Sequence, residues 1–221
     1  MLFDLRSRGR RRTVQVVYLT LAIVFGLGLV LFGVGTGSGG GLLNAFTGNG
    51  SSSGQNSAVS SQEKAAIKQS QTDPSNPTSW GNLINARNST AQLNSQQTTT
   101  GVPSFNAKGK QELADITTDW QRYVALIKSP DPDITIIAAH ADEYQSNYAG
   151  AAQAWGLEAA SSPTEAKGYL CYALNAYAAK QTRTGDLAKT KALALTPKAE
   201  RKEITGEIEE AQTTPSTAQQ C

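Results

Sequence analysis

The feature that most constrains this chain is an uncharged apolar run from Val14 to Val34, VQVVYLTLAIVFGLGLVLFGV. It holds no Asp, Glu, Lys, Arg or His, and its polar side chains are Gln15, Thr20 and the hydroxyl of Tyr18. As a helix, about 21 residues rise about 32 Å, enough to cross a hydrocarbon core of ~30 Å. Arg6, Arg8, Arg10, Arg11 and Arg12 precede it, opposed by Asp4 alone. The positive-inside tendency keeps such a cluster cytoplasmic, so the chain is expected in the plasma membrane with its C-terminal part outside the cytoplasm. A cleaved signal peptide fits less well. Its apolar core would span roughly 7–15 residues and end at an Ala-x-Ala-like site, whereas this run is longer and leads into GVGTGSGGGLL.

The charge balance follows from that cluster. The 221 residues include 20 Lys and Arg against 18 Asp and Glu. Beyond residue 12 the balance is 15 basic against 17 acidic, so the basic character of the chain is a topology signal. Nucleic acid is therefore not an expected partner. The lipid bilayer is, since juxtamembrane arginines attract anionic headgroups at about 1 kcal/mol each. The two cysteines, Cys171 and Cys221, form no CxxC pair or disulfide framework and do not fix the redox compartment. Cys171, among Leu170, Ala173 and Leu174, reads as a buried thiol.

The chain divides into a basic tip (1–12), a transmembrane helix (13–35), a flexible Gly/Ser linker (36–61), an α-helical domain (62–212) and a disordered tail (213–221). Gly33 and Gly37 have the small-xxx-small spacing of packed membrane helices, but they merge into the glycine-rich exit. The linker cannot bury enough apolar surface to offset its ordering entropy, and its root-mean-square span is near 28 Å. Leu42, Leu43 and Phe46 interrupt it.

Past the linker the apolar period is helical. A short helix over 62–71 ends at Asp73-Pro-Ser-Asn-Pro77, and a second runs from Thr78 to about Gln96 with Trp80, Leu83, Ile84, Arg87 and Ala91 near one face. The stretch 98–110 reads as a loop. From about Lys110 to Ser129, Leu113, Ile116, Trp120, Tyr123, Val124 and Ile127 form one stripe. Ser129-Pro-Asp-Pro-Asp133 closes that helix and caps the next, whose stripe is Ile134, Ile137, Ala138, Ala141, Tyr144 and Tyr148. A turn at Asn147–Gly150 leads into a helix bearing Trp155. Ser162-Pro-Thr-Glu165 has the spacing of a capping box, Thr184-Gly185 reads as a break, and Thr196-Pro197 starts a last charged helix. The expected fold is all-α, with antiparallel helix pairs joined by short Pro/Gly turns.

Residues able to carry chemistry are sparse. His140 is the one histidine and sits at the edge of its stripe. No G-x-S-x-G elbow frames a serine, and His and Cys are too few for a metal site. Asp131/Asp133, Asp142-Glu143 and Glu207-Glu209-Glu210 read as capping or solubilising carboxylates. The glycines at 33–41 lack the lysine of a phosphate loop. The expectation is a non-enzyme with no catalytic residue, cofactor or metal. Tyr172 falls off its helix stripe and is the one aromatic singled out for partner binding.

Several of these patterns resemble tetratricopeptide repeats, helix–turn–helix units of about 34 residues with aromatic and small residues at set positions and a closing Pro. Pro74 precedes Trp80 at the joining spacing; Ala151, Trp155 and Pro163 match the second helix and its end, and Ala192-Leu193 with Pro197 match that end again. Departures are a short turn between Tyr144 and Tyr148, Glu158 where Ala is usual, and the loop at 98–110. The whole layout is similar to membrane-anchored tetratricopeptide proteins of bacteria. The resemblance implies an α-solenoid that binds another protein as scaffold or assembly factor, or else a tethered holdase-type chaperone for secreted chains. An enzyme acting on envelope polymers is the remaining alternative.

Overall fold

The computed structural model describes residues 52–99 and 101–221, with side chains from residue 56 onward. The basic tip with its five arginines, the apolar run and the linker up to residue 51 lie outside the described residues. Among the described residues, no helix is long and apolar enough to cross a membrane.

Two facing stripes build the first half. Helix α1 is Ser52–Thr72, α2 is Pro77–Leu93, α3 is Ala107–Leu126 and α4 is Pro132–Tyr144. Leu83, Ile84, Leu113, Ile116, Trp120, Tyr123, Ile134, Ala138 and Ala141 are buried as their spacing requires. They join one apolar cluster with Ala151, Ala154 and Trp155 of α5, Tyr148–Ser161. A second cluster forms around α6 (Ala166–Ala178), α7 (Thr182–Leu195) and α8 (Arg201–Thr213). From α2 onward successive helices pack on one another, antiparallel; in addition α2 touches α4 and α6 touches α8. Between α2 and α3 the chain makes a minimal antiparallel ladder, β1 (Ser95–Gln96) on β2 (Ser104–Phe105). Residues Val59–Cys221 form one compact unit.

The helical hairpins repeat. α4 and α6 begin at Pro132 and Ala166, and α5 and α7 at Tyr148 and Thr182, each pair 34 positions apart. The turns match bond for bond. Ser146 N–H donates to Glu143 C=O at 2.8 Å and Asn147 N–H to Asp142 C=O at 2.8 Å; Lys180 N–H donates to Tyr177 C=O at 2.9 Å and Gln181 N–H to Ala176 C=O at 2.8 Å. Ser146 (φ 59°) and Lys180 (φ 61°) take the left-handed conformation that ends the first helix of each pair.

Several local expectations are corrected. α1 begins at Ser52, inside the segment expected to be a flexible linker, because a helix nucleated by a packed stretch propagates into its neighbours at little cost. The turn before α5 is over by Tyr148, where Asn147 caps the helix through Gly150 N–H. The capping box at Ser162–Glu165 does not form. Ser162 instead ends α5, its N–H bonded to Glu158 C=O, and Glu165 precedes α6 without a side-chain cap bond. Gly185 does not break a helix: it lies inside α7, where a Cβ would stand 2.8 Å from the Tyr177 ring. The glycine is there for close approach, and the break falls at Lys180.

The tail differs most from expectation. Residues Pro215–Gln220 form a 3-10 helix with Thr217 and Ala218 buried, and Cys221 is bonded to Cys171. Cys171 is buried as expected, at 1% exposure, but it is not a thiol. The two Cα atoms are 5.6 Å apart across 50 positions. A loop of that length gives a chain-entropy stabilisation of at most about 4 kcal/mol. The spacing could not show this pairing, because it depends on the tail folding back over α6.

Candidate functional site

A cleft of about 320 Å³ opens among the described residues where the first turns of α2 and α4 meet the end of α3. Local chemistry sets its walls. Asn76 caps α2 by accepting from Thr78 N–H at 3.0 Å, with Pro77 at the first helical position. Asp131 caps α4 by accepting from Asp133 N–H at 2.9 Å and Ile134 N–H at 3.3 Å. Tyr123 OH accepts from Asp131 N–H at 3.0 Å, which ties α3 to the start of α4. At the floor, Gly81 leaves room: a Cβ there would meet the Tyr123 ring at 3.7 Å and Ile134 at 3.8 Å.

This lining mixes an apolar base, Tyr123, Ile127 and Ile134, with the exposed amides of Asn82 and Asn85. An Asn side chain both donates and accepts, as a peptide group does, so the pair can match the backbone of an extended segment. The charged lining residues are Asp131 and Asp133, both acidic, which favours a basic residue in whatever binds. No protein-family model, curated protein or solved structure matches this chain. The functional reading therefore rests on its own geometry.

Two polar centres lie elsewhere in the helical unit, and the sequence showed neither. Asp142 and Glu143, expected as capping or solubilising groups, are fully buried at the end of α4. One Glu143 carboxylate oxygen accepts from Trp155 Nε1 at 2.7 Å and Asn175 Nδ2 at 2.6 Å; the other meets His140 Nδ1 at 2.8 Å. His140 is thus oriented by Glu143 while its ring stands edge-on to Trp155. Asp142 accepts from Thr117 Oγ1 at 2.7 Å and Asn147 Nδ2 at 2.9 Å through one oxygen, and its other oxygen has no partner. Burial pushes the Asp142 carboxyl up; the bonds from Thr117 and Asn147 pull it down, and the neighbouring Glu143 adds to the rise.

The second centre is Arg87 of α2. Its guanidinium meets Asp115 at 2.6 Å, Asp119 at 2.9 Å, Glu112 at 3.0 Å and Glu63 at 3.9 Å, binding α1, α2 and α3 together. Burial works against the Arg87 charge, but Asp119, Asp115 and Glu112 outweigh it and raise its pKa. For Glu112 and Asp119, burial lifts the carboxyls by more than Arg87 lowers them. Arg122 completes the group, 4.9 Å above the Trp80 ring. Each of these carboxylates is engaged by its own chain, so the centre acts as a clamp between helices.

Tyr172 is half-buried, packed against both apolar clusters. A Cβ at Gly156 would lie 3.1 Å from its ring, so Tyr172 covers a glycine of α5 and bridges the clusters away from the cleft. Of the cleft, the apolar stripes on α3 and α4 supply Tyr123, Ile127 and Ile134, whereas Asn82 and Asn85 lie off the apolar face of α2. The signal was present: polar residues on the open face of a helix whose other face is buried.

Proposed function

We propose that this chain is a single-pass membrane protein whose helical module lies outside the cytoplasm and binds an extended segment of another protein, as scaffold or assembly factor. The observation that carries the reading is the cleft between α2 and α4, with paired amides over an apolar floor and acidic residues at its edge. The 34-residue hairpin repeat supports a tetratricopeptide-like module, since stacked helix pairs present such clefts to extended partners. The Cys171–Cys221 bond supports the location, because disulfides persist in oxidising compartments and are rare in the cytosol. The uncharged run behind its arginine cluster supplies the anchor.

Crosslinking in intact membranes, with identification of what is captured, tests the binding. One stoichiometric partner is expected. A broad set of unfolded clients would favour a tethered holdase, and recovery of nothing would remove both readings. A reporter inserted after residue 60 tests the topology: activity outside the cytoplasm is expected, and cytoplasmic activity would overturn it.

A further inference from the structure

The 3-10 segment Pro215–Gln220 lies against α4, α6 and α8. Its non-covalent seating is thin. Thr217 and Ala218 are buried, Pro215 and Gln219 are half-buried, and Ser216 and Gln220 are exposed. Gln219 Nε2 donates to Glu143 C=O at 2.9 Å and reaches Tyr148 OH at 3.5 Å. Beneath it is a polar part of the interior. Asn175 Nδ2 bridges Glu143 and Cys171 C=O, at 2.6 and 3.0 Å, while Asn175 Oδ1 is buried without a partner. Cys221 packs against both apolar clusters, so the bond sits where the two halves of the helical array meet.

The two sulfurs differ in access. Cys171 is 1% exposed, whereas Cys221 is half-buried at the edge of the segment. From these facts we propose that residues 214–221 form a redox-releasable strap, held over the Glu143–Asn175 centre by the Cys171–Cys221 bond and freed when a dithiol reduces it. The thiolate of a dithiol bonds to Cys221 Sγ, the S–S bond breaks, and Cys171 leaves as a thiolate that takes a proton from solvent. The second thiol then attacks the mixed disulfide and expels the Cys221 thiolate. Two electrons pass from the dithiol, which ends as a disulfide, to the cystine. Release removes the Gln219 bond to Glu143 and admits water to the orphaned Asn175 oxygen. The state of one bond thereby sets the order of α4, whose other end lines the cleft.

Hydrogen exchange on the full-length protein tests the strap, with and without dithiothreitol and without denaturant. After reduction, amides in 214–221 should exchange about tenfold faster or more and those in 140–148 should accelerate less, while α3 stays protected through the same labelling window. Cys221→Ser should reproduce that pattern without reductant, and Gln219→Ala with the bond intact should leave 214–221 protected. The proposal is overturned if the bond resists dithiothreitol until the protein unfolds. It is equally overturned if 214–221 keeps its protection after reduction, or if α3 loses protection together with it.

Discussion

Asp142 is an acid placed where ionisation is costly: one oxygen is bonded twice and the other meets no donor. Its folded pKa lies above its unfolded value, so its stabilising contribution is complete below the unfolded pKa and is lost as pH rises through the folded one. Relative to Asp142→Asn, the wild-type chain should gain stability as pH falls through the raised folded pKa toward the ordinary carboxylate range; urea unfolding at several pH values checks this, and equal slopes would count against it. Glu143 differs from it in its partners: its two buried oxygens are met by three side chains. Glu143→Ala strands the Trp155 and Asn175 donors and should cost at least about 3 kcal/mol, while Glu143→Gln keeps an acceptor for both and should cost less than half of that. Neither environment was legible in the sequence. Asp142 and Glu143 are adjacent acids near a helix end, and the donors that distinguish them, Thr117, Trp155 and Asn175, come from α3, α5 and α6. Arg87 was equally opaque, since its partners lie up to 32 positions away.

At the scale of elements, periodicity carried most of the information. Leu113, Ile116, Trp120 and Tyr123 of α3 and Ile134, Ala138 and Ala141 of α4 are buried as read. Val124, Ile127, Ile137 and Tyr144 are half-buried, Tyr148 belongs to α5, and Asp131 caps α4 as its Pro-Asp setting suggested. What periodicity could not place were the stops. The ends of α4 and α6 depend on single left-handed residues, Ser146 and Lys180, neither of which is the glycine that marks such a position. Gly185, which looked like a stop, is instead where α7 approaches Tyr177. Ser146→Gly and Lys180→Gly should each stabilise the fold by about 0.5–1 kcal/mol, and by similar amounts, because the two turns share one hydrogen-bond pattern. Gly185→Ala should cost about 1–3 kcal/mol, because Tyr177 is held against Asp186 and cannot swing aside. Thermal melts of the three variants check these values; a stabilised Gly185→Ala would show that the helices separate freely.

At the scale of the molecule, the all-helical architecture and the pairing of neighbours were readable, whereas the closure was not. The chain is closed by a disulfide between residues that local patterns treat as unrelated, and the cleft appears only when α2, α3 and α4 are assembled. Among the described residues the exposed leucines Leu93, Leu126, Leu157 and Leu187 sit on four different helices, and single exposed apolar side chains are ordinary on a protein surface. The proposed account therefore places engagement at the α2–α4 cleft, on the outer side of the membrane. The direct measurement is site-specific photocrosslinking in intact membranes, with the reactive group at Asn85 in the cleft and, as control, at Leu187, which is 68% exposed on α7. The account predicts one discrete adduct from Asn85, formed with a protein outside the cytoplasm, and none from Leu187. Equal adducts from both positions, or an adduct with a cytoplasmic protein, would contradict it.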